Sequence, residues 1–106
     1  MQKVIIGTEL KLNVSIDKIG SFTMSNYEFE VEIMSTGMSR KSVVISKSES
    51  VKIDDNNYVV CFDTKDLGQG RIKCRVTAHL PDADFKDGYR TEVAEVNTDI
   101  ELIKGI

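Results

Sequence analysis

Tryptophan is absent from the 106-residue chain, and proline and histidine each occur once. With His79 the only imidazole, a zinc site would lack its usual second histidine, and a catalytic triad has no base in a recognisable setting. The two cysteines, Cys61 and Cys74, lack zinc-ligand spacing. No serine elbow or acid pair is recognisable. Gly68-Gln69-Gly70 is too short for a phosphate loop and precedes a strand pattern, not a helix. These absences predict a protein that is not an enzyme, with no catalytic residue, no metal ligand and no cofactor. No apolar run approaches the ~20 residues of a membrane span. The opening Met1-Gln2-Lys3-Val4-Ile5-Ile6-Gly7 is too short in apolar residues for a secretory signal. With Met1 as the native start, synthesis in the cytoplasm is expected, and both cysteines are then expected as buried, reduced thiols.

A net charge of -3 and a pI near 5.1 argue against nucleic acid as a partner, since phosphate recognition needs clustered cations. Hydrophobic residues make up 41% and charged residues 29%, an ordinary soluble composition. One domain over residues 1–106 is expected, burying roughly 60–70% of the surface of its unfolded chain.

Period-two alternation runs through the chain. Leu10, Leu12, Val14 and Ile16 alternate with Glu9, Lys11, Asn13 and Ser15. Tyr27, Phe29, Val31 and Ile33 alternate with Glu28, Glu30 and Glu32. A helix would scatter both sets around its axis, whereas a half-buried strand separates them. Tyr58, Val60 and Phe62 alternate with Val59 and Cys61, so both faces are apolar and a central, covered strand is expected. Ile72, Cys74, Val76, Ala78 and Leu80 alternate with Arg71, Lys73, Arg75, Thr77 and His79. Ser35-Thr36-Gly37, Asp54-Asp55-Asn56-Asn57 and Asp66-Leu67-Gly68-Gln69-Gly70 read as connections.

The pattern predicts strands over 8–16, 26–35, 41–46, 50–53, 58–63, 71–80 and 91–102, lettered A to G, with a break near Asn97 and no helix longer than a turn. About seven short strands in ~100 residues fit an all-β, immunoglobulin-like antiparallel sandwich. The immunoglobulin disulfide joins strands B and F; 26–35 carries no cysteine, which excludes that bond. Antiparallel pairing of the last two strands is expected to set Val76 opposite Ala94, and Cys74 opposite Val96 on the core face. Arg75 then lies opposite Glu95 on the solvent face. A slip of one residue would turn Glu95 inward.

Glu28, Glu30 and Glu32 form an acidic stripe, and Arg71, Lys73 and Arg75 a basic one. Both read first as wet strand faces and second as a docking surface. His79 falls on an outward set and is expected to be exposed. Asp82, Asp84 and Asp87 sit near Gly88, but Asp87 is one residue late for a calcium loop and no bidentate Glu closes the set. A solvated turn is the simpler reading, with Asp87-Gly88 making the bend and Phe85 tucked onto the end of the sandwich. In the preceding connection, Leu67 suits a plug for the core, Gly68 and Gly70 suit positive φ or close approach, and Asp66 suits a turn cap.

Tyr58-Val59-Val60-Cys61-Phe62-Asp63-Thr64-Lys65-Asp66-Leu67-Gly68-Gln69-Gly70-Arg71-Ile72, with Pro81-Asp82-Ala83-Asp84-Phe85-Lys86-Asp87-Gly88-Tyr89-Arg90-Thr91-Glu92-Val93, resembles proteins of gut Bacteroides genomes often encoded among prophage tail genes. It is similar, more distantly, to the N-terminal immunoglobulin-like domain of phage baseplate upper proteins. There an Asp-Thr-x-x-Leu-Gly-x-Gly corner follows a strand of the sandwich. The resemblance covers residues 58–93, and the first half matches in strand pattern only. It implies a tail-associated structural or attachment module, assembled in the bacterial cytoplasm and carried in the virion. Its partners would be other tail or baseplate proteins or further copies of itself, through sheet edges and loop ends. Asp82, Phe85, Tyr89 and Arg90 are the expected contact residues. A carbohydrate-binding or cell-surface adhesion module is the rival reading. It would need exposed aromatics, yet the chain has three Tyr and four Phe, mostly at inward positions. A small metal-dependent enzyme would need the Asp82–Asp87 loop. Thiol titration of the unfolded, unreduced protein is expected to find both Cys61 and Cys74 free; a single disulfide in their place would overturn the cytoplasmic reading.

Overall fold

Strand-forming alternation becomes eight strands in the computed structural model, which describes residues 2–37 and 42–105. They are β1 (Gln2–Ile5), β2 (Glu9–Ser15), β3 (Glu28–Ser35), β4 (Ser42–Ser46), β5 (Val51–Asp54), β6 (Asn57–Asp63), β7 (Gly70–Pro81) and β8 (Tyr89–Ile103). Single 3₁₀ turns at Met24–Asn26 and Lys47–Glu49 are the helical elements among the described residues. A five-stranded sheet in the order β1-β8-β7-β3-β4 packs on a three-stranded sheet in the order β2-β6-β5. This is an all-β sandwich with immunoglobulin-like connectivity.

The strand count is corrected by one at the N-terminus. Gln2–Ile5, too short to show a period, pairs parallel with Ile100–Ile103 of β8. The stretch 8–16 therefore takes the B place, opposite β6, and 26–35 takes the C place, beside β7. The new B strand also lacks cysteine, so the missing B–F disulfide follows from either lettering.

Phe29, Val31, Ile33, Val60, Ile72, Leu80 and Leu102 are buried from both sheets, as the alternation requires. Phe29 sits edge-on to Tyr58 at 5.1 Å and to Tyr27 at 6.3 Å. It lies near the start of β3, the strand on which immunoglobulin domains carry their core tryptophan. Met24, which the alternation does not mark, is fully buried from its 3₁₀ turn.

The register of β7 on β8 matches the expected one: Val76 faces Ala94, Cys74 faces Val96 and Arg75 faces Glu95. The expected break near Asn97 is an irregularity in a continuous strand. Lys73 pairs with Asn97 and Arg71 with Glu101, so β8 has two residues more than β7 in this interval. Thr98 Oγ1 donates to the Ile72 carbonyl at 2.8 Å and steadies the bulge.

The corner between β6 and β7 ties the two sheets together. Asp63 Oδ1 accepts the Lys65 N–H at 2.8 Å, so Asp63, not Asp66, caps this turn. Thr64 is fully buried; its hydroxyl donates to the Thr8 carbonyl at 2.7 Å and accepts the Gly7 N–H at 2.9 Å. Gly7 and Thr8 carry the chain from the large sheet to the small one, so a single side chain holds both crossings. Leu67 is buried and plugs the core, as expected. Gly70 has φ 127, and a Cβ there would lie 2.6 Å from the Gly37 nitrogen, so only glycine fits. Ile72 stands two residues before Cys74, where antibody domains carry a hydroxyl-bearing corner tyrosine; here Thr64 supplies the hydroxyl instead.

Replacing Thr64 by valine keeps the volume but strands the Gly7 N–H, and is expected to cost about 1–3 kcal/mol. Leu67→Ala is expected to cost about 2–5 kcal/mol through its cavity. Urea unfolding checks both; a Thr64→Val midpoint equal to wild type would show that the clamp does not hold the corner.

Candidate interaction surface

The acidic and basic stripes are two rows of one surface. The order β8-β7-β3 sets Glu32 opposite Arg75, Glu30 opposite Thr77 and Glu28 opposite His79 on the outer face of the large sheet. Glu95 of β8 lies 2.7 Å from Lys73 Nζ and 3.4 Å from Arg75, and Arg75 reaches Glu32 at 3.6 Å. His79 Nε2 lies 2.8 Å from Glu30 Oε1, so His79 is half-buried and bonded rather than free in solvent. The signs are matched across strands, and neither stripe remains as a single-sign docking field. The lysine and arginine contacts hold the Glu95 carboxyl below its ordinary range, the Lys73 hydrogen bond being the larger cause.

The β7–β8 hairpin carries all four expected contact residues at one end. Residues 82–88 close it, with the Asp82 N–H donating to the Gly88 carbonyl at 2.9 Å and Gly88 at φ 79. The bend at Asp87-Gly88 is thus where the sequence places it. Asp82 turns inward on its own loop, its Oδ1 accepting the Asp84 N–H at 3.0 Å. Arg90 reaches back to Asp82 at 3.9 Å and along its strand to Glu92 at 3.4 Å. The Arg90 Nε is buried with no hydrogen-bond partner. Phe85 does not tuck onto the sandwich; it and Tyr89 are about half exposed, at 49% and 56%. Asp82 and Arg90 are therefore brought together, while Phe85 and Tyr89 present apolar surface to solvent. Among the described residues no three His, Cys, Asp or Glu side chains gather as a metal-binding group, the Asp82–Asp87 loop included.

One long edge of the large sheet is open. β1 covers β8 at Ile100–Ile103, so among the described residues no strand lies along that edge over 89–98, while 89–97 pair with β7 on the other side. The small sheet is two strands narrower and does not reach over β8. Val96, expected to be buried against Cys74, is therefore 60% exposed despite its correct register, and Val93 on the opposite face is 57% exposed. A groove of about 380 Å³ follows the seam between the two sheets, lined by Leu12, Val14 and Ile16 with Cys74, Val76 and Ala94. Sequence alternation marked which face each side chain takes. It could not show that the covering sheet stops short.

β6 also departs from its sequence reading, because among the described residues one face of its sheet has no layer over it. It is central in its sheet, between β2 and β5, yet the outer face of that sheet meets solvent. Cys61 is exposed there, Cys74 is buried, and both are free; burial raises the Cys74 thiol pKa. No helix among the described residues is long and apolar enough to cross a membrane. No family model, curated protein or solved structure matches the chain.

Because Glu95 has a lowered folded-state pKa, its contribution to stability is complete above the ordinary glutamate value of 4.5 and is lost as pH falls through the lowered one. Glu95→Gln is expected to remove that part of the acid limb and leave stability near pH 7 less changed by acidification than in wild type. Chemical denaturation between about pH 7 and pH 3 measures this; identical pH slopes for the two proteins would show that Lys73 and Arg75 do not hold this carboxylate.

Proposed function

We propose that this sandwich is a non-enzymatic structural and attachment module acting through protein–protein contacts, of the kind found in phage or prophage tails and baseplates. The observation that carries the reading is the uncovered edge of β8 over residues 89–98, next to the exposed Phe85 and Tyr89. An open strand edge presents unpaired N–H and C=O groups in register, a template for another chain. The edge carries no proline and no lysine between Tyr89 and Thr98, so two common protections against pairing are missing. The corner at Asp63-Thr64 and Leu67-Gly68, which carries the resemblance to tail proteins, braces the end of the sandwich where the chain changes sheets. A sandwich whose longest strand leaves an edge open suits assembly. The carbohydrate-binding alternative has less support, because Tyr27, Phe29, Tyr58 and Phe62 are buried and cannot stack on a sugar, which leaves Phe85 and Tyr89 as the well-exposed aromatics.

The test is co-expression of the whole chain with the products of the genes flanking its own, followed by gel filtration. Tail or baseplate proteins are expected to co-elute with it, and Val93→Lys, at an exposed position, is expected to weaken the complex by roughly tenfold or more while leaving the fold intact. No co-elution, together with binding on a glycan array, would replace this reading by the carbohydrate-binding one.

A further inference from the structure

The open edge of β8 has a sequence that matches itself. We infer that two copies of the chain join through β8, antiparallel and centred on Thr91, to make one continuous ten-stranded sheet. This rests on the attachment reading and names one partner for its surface.

An isologous pair about a two-fold axis normal to the sheet keeps each side chain on its own face, so each register is set by the residue on the axis. With Thr91 there, Arg90 lies opposite Glu92 of the second copy, and Glu92 opposite its Arg90, on the face that β8 shares with Leu80 and Ala78. On the other face Tyr89 lies opposite Val93, twice, with Thr91 facing Thr91 between them. Both halves of each Tyr89–Val93 contact are apolar and more than half exposed in the single chain, at 56% and 57%. Aromatic and β-branched residues are a favourable cross-strand pair, as are opposite charges.

Neighbouring registers fail on the same residues. Centring on Glu92 opposes Glu92 to itself, and centring on Arg90 opposes Arg90 to itself. Centring on Val93 sets Arg90 against Val96 and Thr91 against Glu95. Centring on Ala94 sets Glu92 against Val96. Like charges directly opposite destabilise a sheet, and a charge against valine forfeits the ion pair. Over residues 89–93, only the Thr91 centre among these sets each charge against its opposite and each exposed apolar residue against another; Glu95 and Val96 fall beyond the paired stretch.

Two further observations agree. The Arg90 guanidinium lies 3.4 Å from Glu92 and 3.9 Å from Asp82 within its own chain, both long for an ion pair, so a closer carboxylate from the second copy competes with them. The bulge that would break a flat edge lies at 97–101, beyond the paired stretch, so residues 89–94 are regular. A pairing of this length matches a common strand, about 5–6 residues.

The experiment uses the whole chain and reads its mass by sedimentation equilibrium. Wild type is expected to show a concentration-dependent dimer. Arg90→Glu and Glu92→Arg are each expected to be monomeric alone, because each sets like charges across the axis. Mixed in equal amounts they are expected to form a heterodimer, since every 90–92 contact is then Glu against Arg. As a second measurement, which tolerates a destabilised Arg90 variant, Thr91→Cys is made in a Cys61→Ser background. Cross-strand Cα atoms lie about 4.5–5.5 Å apart, within disulfide reach. Mild oxidation is expected to link Thr91→Cys into a covalent dimer and to leave a Val96→Cys control unlinked. A wild-type monomer at the highest soluble concentration, failure of the mixed charge variants to associate, or equal linking of the control would each overturn the inference. If the monomer still co-elutes with a tail protein, the self-pairing falls and the attachment reading stands.

Discussion

One buried hydroxyl decides how the two sheets are joined. Thr64 bonds to Gly7 and Thr8 where the chain first leaves the large sheet, and it sits where the chain returns to that sheet from β6. A hydroxyl excluded from water must find partners or pay for its desolvation, and both partners of this one belong to the other crossing. The result fixes the separation of the two sheets at this end. Leu67 then seals the core, and Gly70 allows the backbone of the following strand to pass the Gly37 backbone without a side chain between them. The β7 register, and through it the register of β8, starts from this point.

From that fixed end β7 and β8 run together for most of the molecule. A fifteen-residue strand at about 3.3 Å per residue is close to the 53 Å long axis. The small sheet is too narrow to follow β8, and β1 is too short to cover its edge. The open edge and the seam groove are therefore consequences of unequal sheet widths, not of an unusual local sequence. The charge ladder on the outer face has a different role: with Glu95 held by Lys73 and Arg75, a slipped register would break contacts on both sides of β7 at once.

The proposed contact surface follows from these two features together. A stiff frame presents an edge without letting it fray, and an edge that lacks proline and lysine and is regular over 89–94 accepts a strand. Of the residues expected from sequence to make contacts, Tyr89 and Arg90 lie on that edge. Phe85 is at the loop tip, and Asp82 is occupied in holding the loop and Arg90. Val93 and Glu92 were missed because an alternating strand beside a strand reads as covered on both edges.

Local pattern was enough to assign strand after strand, the β7–β8 register and the plugging role of Leu67, because side-chain alternation has a period of two and each of these depends on nearest neighbours alone. It also located the bend at Gly88 and the irregularity near Asn97. Four residues at Gln2–Ile5 hold too little pattern to be recognised, and their partners lie at the other end of the chain. Whether Val96 meets water depends on how wide the opposite layer is, and whether Thr64 is a surface threonine or a clamp depends on a connection more than fifty residues away. Those properties belong to the packing of sheets against each other, which no local spacing encodes.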